Sequence, residues 1–157
     1  MTGTKKEHMK IPKIEKGIVI DHIPAGRALL VAQALGLDRV EQNGSVTLGL
    51  NFESRKMGKK DLIKVEHLEL ANQELEKIAL LAPGSSVKSI TDFTVKEHIE
   101  IKPPDIVEGL LTCHNPRCIT NRERDVETRF IKVKERPLSM KCQYCERIYL
   151  ESELRLR

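Results

Sequence analysis

Two groups of residues in this chain have the types and spacing to do chemistry. Cys113 and Cys118 enclose four residues, Cys142 and Cys145 enclose two, and 23 residues separate the pairs. Two close pairs of thiolates, each gripping one side of an ion, make a tetrahedral site with no open position, which describes structural rather than catalytic zinc. Arg117, Lys141 and Arg147 lie beside the pairs and offset the charge that four thiolates bring to a divalent ion. His114 sits inside the first pair, but four cysteines already complete the set. The competing readings are unligated buried cysteines and a redox pair, and Cys142-Gln-Tyr-Cys145 lacks the βαβ context that activates such a pair.

The second group is polar. Asp21 and His22 end a β-branched run, and Lys59, Lys60 and Lys64 surround a later one, with Lys60, Leu62 and Lys64 on one face of a regular strand. Lysines beside a carboxylate and an imidazole suit the phosphates and the base or ribose of a nucleotide. Lysines along strand edges also block aggregation, so charge alone leaves both readings open. There is no Gly-x4-Gly-Lys-Ser/Thr loop, no Gly-x-Ser-x-Gly elbow and no pair of carboxylates marked as acid and base, so a P-loop triphosphatase and an elbow hydrolase lack support. The remaining histidines, His8, His67 and His98 among them, fall in polar segments and read as solvated.

The elements that must position these groups follow from pattern. Gly17 to His22 reads as a strand, stopped by Pro24 and Gly26; Arg27 to Leu35 reads as a helix, with Gly36 as its C′ stop. Ser45 to Asn51 alternates, with Val46, Leu48 and Leu50 on one face, and Asp61 to Glu66 is a further strand. Asn72 is placed to cap a helix over 73–81, which Pro83-Gly84 ends. Val87 to Ile101 is strand-like, with a break near Thr91-Asp92. This predicts an α+β chain: an N-terminal ferredoxin-like βαββαβ antiparallel sheet with two helices on one face. The connector Ile101-Lys102-Pro103-Pro104-Asp105 separates residues 1–102 from residues 103–157. The second part is expected to be a small all-β zinc-binding domain, closed by metal because 55 residues make too small a core.

Composition narrows the classes. The chain has 157 residues, 27 Lys plus Arg against 23 Asp plus Glu, and 3% aromatics. The +4 charge is shared evenly, with 16 basic and 14 acidic side chains through residue 102 and 11 and 9 after it. With no basic tail and no aromatic on the strands at 45–51 and 61–66, an RNA-recognition sheet and nucleic acid as a partner are disfavoured. No apolar run approaches the roughly 20 residues a bilayer span needs, so no membrane is expected. Met1 to Lys10 carries no apolar signal-peptide core, so the expectation is cytoplasmic, where thiols stay reduced.

At this point five segments, in one order, resemble a known family. Val19-Ile-Asp-His-Ile-Pro24, Thr47-Leu-Gly-Leu-Asn51, Met57-Gly-Lys-Lys-Asp-Leu-Ile-Lys-Val-Glu66, Leu81-Ala-Pro83, and the Cys-x4-Cys with Cys142-Gln-Tyr-Cys-Glu146 are together similar to the regulatory chain of aspartate carbamoyltransferase. The resemblance spans about residues 10 to 150. It implies a non-catalytic subunit of the enzyme that commits carbamoyl phosphate and aspartate to pyrimidine synthesis. An N-terminal domain would bind CTP, UTP or ATP, and a C-terminal domain with one structural Zn(2+) would dock on the catalytic chain. Homodimers of regulatory chains would tie catalytic trimers into a dodecamer of six catalytic and six regulatory chains. Zinc-ribbon nucleic-acid binding and a stand-alone small-molecule sensor are the alternatives.

Carried onto this chain, the resemblance implies that Asp21 and His22 contact the base and the ribose or phosphate region, with Lys60 and Lys64 on ribose and phosphates. Ile11, Ile14 and Val19 would line the pocket wall, and backbone near Pro12 and Ile90 would read the base edge. His98 stands where some members carry a phosphate-binding lysine, with Lys96 two residues earlier, and Phe93 stands where a Tyr occurs, keeping the ring without its hydroxyl. In the zinc half, Asn115, Glu146 and Arg147 would face the catalytic chain, with Arg117 replacing a polar residue there.

Overall fold

The computed structural model describes residues 12–39 and 43–157. The expected alternation of elements is present: β1 (Gly17–Pro24), α1 (Ala28–Ala34), β2 (Val46–Ser54), β3 (Gly58–Glu66), α2 (Asn72–Leu81), β4 (Ser86–Thr91) and β5 (Thr94–Glu100). The five strands form one antiparallel sheet in the order β2-β3-β1-β4-β5. Every second residue of the central strands faces the helices. Ile18, Ile20 and Ile23 of β1, Ile63 and Val65 of β3 and Val87 of β4 pack there on Val31 of α1 and on Ile78 and Ala79 of α2. Gly17 opens β1 where a Cβ would strike the Val65 carbonyl, so only glycine lets the two backbones approach this closely.

The expected break near Thr91-Asp92 is present, and two other local expectations change. The stretch 87–101 is two strands, folded at Asp92-Phe93, whose positive φ values of 51° and 61° make the two-residue turn that matches strand twist. The cap of α2 is Ala71 rather than Asn72: the Glu74 carboxylate, at the third helical position, reaches back to accept the Ala71 N–H, the one half of a capping box that an alanine cap can make. Leu48 and Leu50 remain exposed, because β2 is an edge strand of which Val46 packs against the helix-facing core, and its register shifts between Gly49 and Phe52.

The rest of the chain forms a second sheet in the order β6-β7-β8-β9, from β6 (Ile106–Glu108), β7 (Arg129–Glu135), β8 (Leu138–Cys142) and β9 (Ile148–Leu150), with a one-turn helix α3 (Ile119–Arg122). Phe130, Leu138 and Met140 fill its core beside Cys113, Cys118 and Cys142. Leu80, from α2 of the first half, is fully buried in this second core. The Arg27–Glu151 ion pair, at 3.7 Å, also joins the halves. Among the described residues no helix is long and apolar enough to cross a membrane.

Candidate functional site

The polar group gathers on the face of the five-stranded sheet that the helices leave open. Its organiser is a bulge in β1: Ile20 pairs with Ile63 and Ile23 with Asp61, so Asp21 and His22 together oppose Leu62. His22 accommodates the extra residue at φ 56°. In a regular strand these neighbours would point to opposite faces. Here Asp21 meets Lys60 and Lys88, while the His22 ring lies 3.3 Å from the hydroxyl of Ser86, the residue paired with Asp21.

Asp21 Oδ1 accepts from Lys60 Nζ at 2.8 Å and from the His22 N–H at 2.7 Å, and Lys88 Nζ stands 3.6 Å from Oδ2. Burial raises the pKa of this carboxyl, but the Lys60 and His22 hydrogen bonds outweigh it and leave the group below its ordinary value. Burial pushes His22 down, against the pull of Asp21 and with the help of Lys60, Lys56 and Lys88, so the imidazole is neutral at neutral pH. Lys64 Nζ lies 3.5 Å from the Pro12 carbonyl. Beside these charges Ile14, Val19 and Ile90 form an apolar cluster with Leu62. The arrangement is an apolar floor bordered by three lysines and one carboxylate, suited to a flat heterocycle that carries anionic groups.

The expected residues do not all converge. Ile11 lies outside the described residues. Phe93 is in the β4–β5 turn, 58% exposed, with its N–H donating to the Glu15 carbonyl at 3.1 Å. His98 pairs with Lys88 and lines the same small cavity as His22. Lys96 falls at an irregularity in β5, where Ile90 pairs with Val95 and Ser89 with Glu97, so strand alternation does not carry it onto the face of His98. Lys88 was not expected; the available signal was its position two residues before Ile90, hence on the same face. Asp61 was read only as part of a strand. It is fully buried, and its carboxylate accepts the backbone N–H groups of Gly26 at 2.9 Å, Ala28 at 3.2 Å and Asn51 at 3.0 Å.

The four cysteines converge fully, their sulfur atoms all lying within 4.8 Å of one another. The Cys113–Cys145 and Cys118–Cys142 separations of 3.6 and 3.8 Å match the edge of about 3.8 Å that follows for a tetrahedron with Zn–S bonds of about 2.3 Å. His114 is not in the set: its ring packs on Tyr149 with centroids 5.4 Å apart. The first loop is held by Asn121, whose side-chain NH2 donates to the Cys113 and Asn115 carbonyls. The second is closed by Cys142 N–H to Arg147 O and Glu146 N–H to Cys142 O, both 2.9 Å. Burial pushes the Cys142 thiol up to about 12, whereas at Cys145 backbone and thiol hydrogen bonds overcome burial and bring it to about 7. Outside the sulfurs, the Thr120 hydroxyl reaches Cys118 Sγ at 3.2 Å, and the Tyr149 hydroxyl lies 3.3 Å from Cys113 Sγ while accepting the His114 N–H. Tyr149→Phe keeps the ring and deletes that thiolate donor. Zinc affinity, measured by competition with a chromophoric chelator, is expected to fall about tenfold, and an unchanged affinity would deny Tyr149 a part in the site.

Asn115 is half-buried in the first cysteine loop, and Arg117, Glu146 and Arg147 are exposed around the cluster. Exposed Ile119, Tyr144 and Ile148 accompany them.

Residues 9–102 match the family described as aspartate carbamoyltransferase regulatory chain, allosteric domain, and residues 105–155 match its metal binding domain. The chain is 44% identical over 146 residues to the aspartate carbamoyltransferase regulatory chain of Pyrococcus horikoshii, covering 93% of this chain and 95% of that one. It is 42% identical over 148 residues to that of Methanopyrus kandleri, covering 94% of each. With the protein of that name from Saccharolobus islandicus it shares 41% over 153 residues, covering 98% and 95%. With allosteric and metal-binding matches following one another along the polypeptide, this chain belongs to the family of aspartate carbamoyltransferase regulatory chains, which are non-catalytic subunits.

Proposed function

We propose that residues 1–102 bind CTP, UTP and ATP in one pocket on the open sheet face, and that residues 103–157 hold a structural zinc ion and dock on the catalytic chain in the cytoplasm. The observation that carries the nucleotide assignment is the β1 bulge, which brings Asp21 and His22 onto the face that holds Lys60, Lys64 and Lys88 above the Ile14, Val19 and Ile90 floor. Lys60 and Lys64 serve ribose and phosphates, and His98 lies on the far strand toward the phosphate end, with Lys96 nearer the Ile90 end of that strand. The apolar residues beside the cysteine loops, with Asn115, Arg117, Glu146 and Arg147, form the docking surface. The edge strand β2, with Leu48, Leu50 and Phe52 exposed, suits pairing with a second regulatory chain in a homodimer, as an uncovered strand edge invites. Six such chains would join six catalytic chains.

Regulation is then a population shift. Competing nucleotides bias the quaternary equilibrium only through unequal affinity for its two forms. The test is co-expression with the same organism's catalytic chain, followed by complex mass, zinc content and the aspartate saturation curve with CTP or ATP. Lys64→Ala is the informative variant, because among the described residues Lys64 contacts only the Pro12 carbonyl, at the limit of hydrogen bonding, so its loss is expected to leave the fold intact. Its CTP half-saturation is expected to rise about tenfold, the worth of one charge-assisted contact. An unchanged value would remove Lys64 from the pocket, and a complex indifferent to both nucleotides would overturn the reading.

A further inference from the structure

The space beside His22 does not stop at the edge of its own sheet. A cavity of about 90 Å³ is lined by His22, Ser86 and His98 on one side and by Lys56, Lys102 and Arg136 on the other. Lys56 comes from the β2–β3 turn and Lys102 from the connector, while Arg136 comes from the turn between β7 and β8 in the second sheet. A larger cleft of about 310 Å³ between the two sheets continues from it, sharing Lys56, Gly84, Ile101, Lys102 and Arg136.

Three features mark this cavity as made for an anion. Lys56, Lys102 and Arg136 have neither hydrogen bond nor ion pair among the described residues. Glu100 is the one carboxylate on the small cavity's wall, while Glu135 and Glu151, on the wider cleft, are engaged by Lys132 and Arg27. Ser85 also lines the cavity, is 1% exposed, and has a hydroxyl with no partner although its backbone N–H and C=O are both bonded. A buried hydroxyl without a partner is costly, and a ligand oxygen in the cavity would complete it. The volume equals that of roughly three waters, room for a phosphoryl group rather than a heterocycle.

We propose that the far end of a nucleoside triphosphate crosses from the sheet face into this cavity, where Arg136, Lys56 and Lys102 bind its terminal phosphoryl oxygens and the Ser85 hydroxyl donates to one of them. The nucleotide then touches both halves of the chain, through Arg136 on the second, while a nucleoside or monophosphate touches only the first. This makes Arg136 a determinant of phosphate-chain length and a direct link from effector to zinc half. The proposal rests on the nucleotide pocket argued above.

The experiment is calorimetric titration of the zinc-loaded full chain with CTP, CMP and cytidine, for the native protein, Arg136→Gln and Ser85→Ala. The native chain is expected to bind CTP well above CMP. Arg136→Gln is expected to lose about tenfold in CTP affinity with CMP unchanged. Ser85→Ala is expected to weaken CTP binding while leaving the ligand-free melting temperature equal or higher, since it deletes a partnerless hydroxyl. CTP should also slow amide exchange at the Glu135–Leu138 turn in the native chain and not in Arg136→Gln. Native affinity for CTP in both variants, or equal binding of CTP and CMP by the native chain, overturns this inference while the pocket stands. No binding of any of the three ligands by the native chain overturns the pocket itself, and this inference with it.

Discussion

Removing the metal with a strong chelator is expected to unfold residues 106–157 while strands β1 to β5 keep their dispersed amide spectrum. Few fully buried large side chains support the second sheet, chiefly Val107, Leu111, Phe130, Leu138 and Met140, and three of the four cysteines occupy the same interior. In a core this small, metal binding contributes an apparent 10 to 16 kcal/mol in zinc-finger peptides, about as much as the whole stability of an ordinary domain. Without an ion, four sulfurs packed edge to edge gain only weak thiol contacts, and the Cys142 proton is held too firmly for that sulfur to ionise at neutral pH. Cys142→Ala should reproduce the chelated state and resist rescue by added zinc. Far-ultraviolet circular dichroism and amide spectra are the measurements, and a chelated chain with native spectra in both halves would show that apolar packing alone closes the second sheet.

Asp61→Ala is expected to cost about 3 to 5 kcal/mol, the largest loss from any single side chain in the first half. The wild-type carboxylate is fully buried and receives three backbone N–H groups from three separate segments: the turn after β1, the first residue of α1 and the irregular stretch of β2. Alanine leaves all three donors without their acceptor, that of Ala28 fully buried and those of Gly26 and Asn51 partly so. Helix α1 has seven residues and no side-chain cap of its own, so it depends on this borrowed oxygen. Asp61→Asn keeps the shape but turns an NH2 toward backbone donors, and should lose about half as much. Urea unfolding gives the comparison, with a lower midpoint and an unchanged slope. A loss below about 1 kcal/mol would mean that solvent reaches these amides.

The cysteine cluster was legible because metal chemistry dictates both residue type and spacing. The helix-facing side of β1 and β3 was legible because burial repeats every second residue. The features that fell between are those with no compositional signature. A bulge costs one residue of register, and nothing in Ile20-Asp-His-Ile23 announces that its two polar members share a face. The break near Thr91-Asp92 was legible, but phenylalanine is a poor choice for positive φ, so the tight hairpin turn at Asp92-Phe93 was not. Asp61 hid behind its neighbours, since a carboxylate at an inward position of an alternating strand looks like an exception until its three amide partners are in place. Leu80 carried the correct helical phase, but phase cannot say which of two interiors a side chain enters.

That leucine decides how this chain can be cut and recombined. A graft of residues 103–157 onto another scaffold would leave an empty socket where Leu80 stood, and a truncation after residue 102 would strand an apolar side chain in water. Because Ile78 and Ala79 tie α2 to the first core and β4 pairs with β1, α2 cannot travel with the second sheet, so chimeras joined at the prolines have to keep the residues around Leu80 matched across the seam.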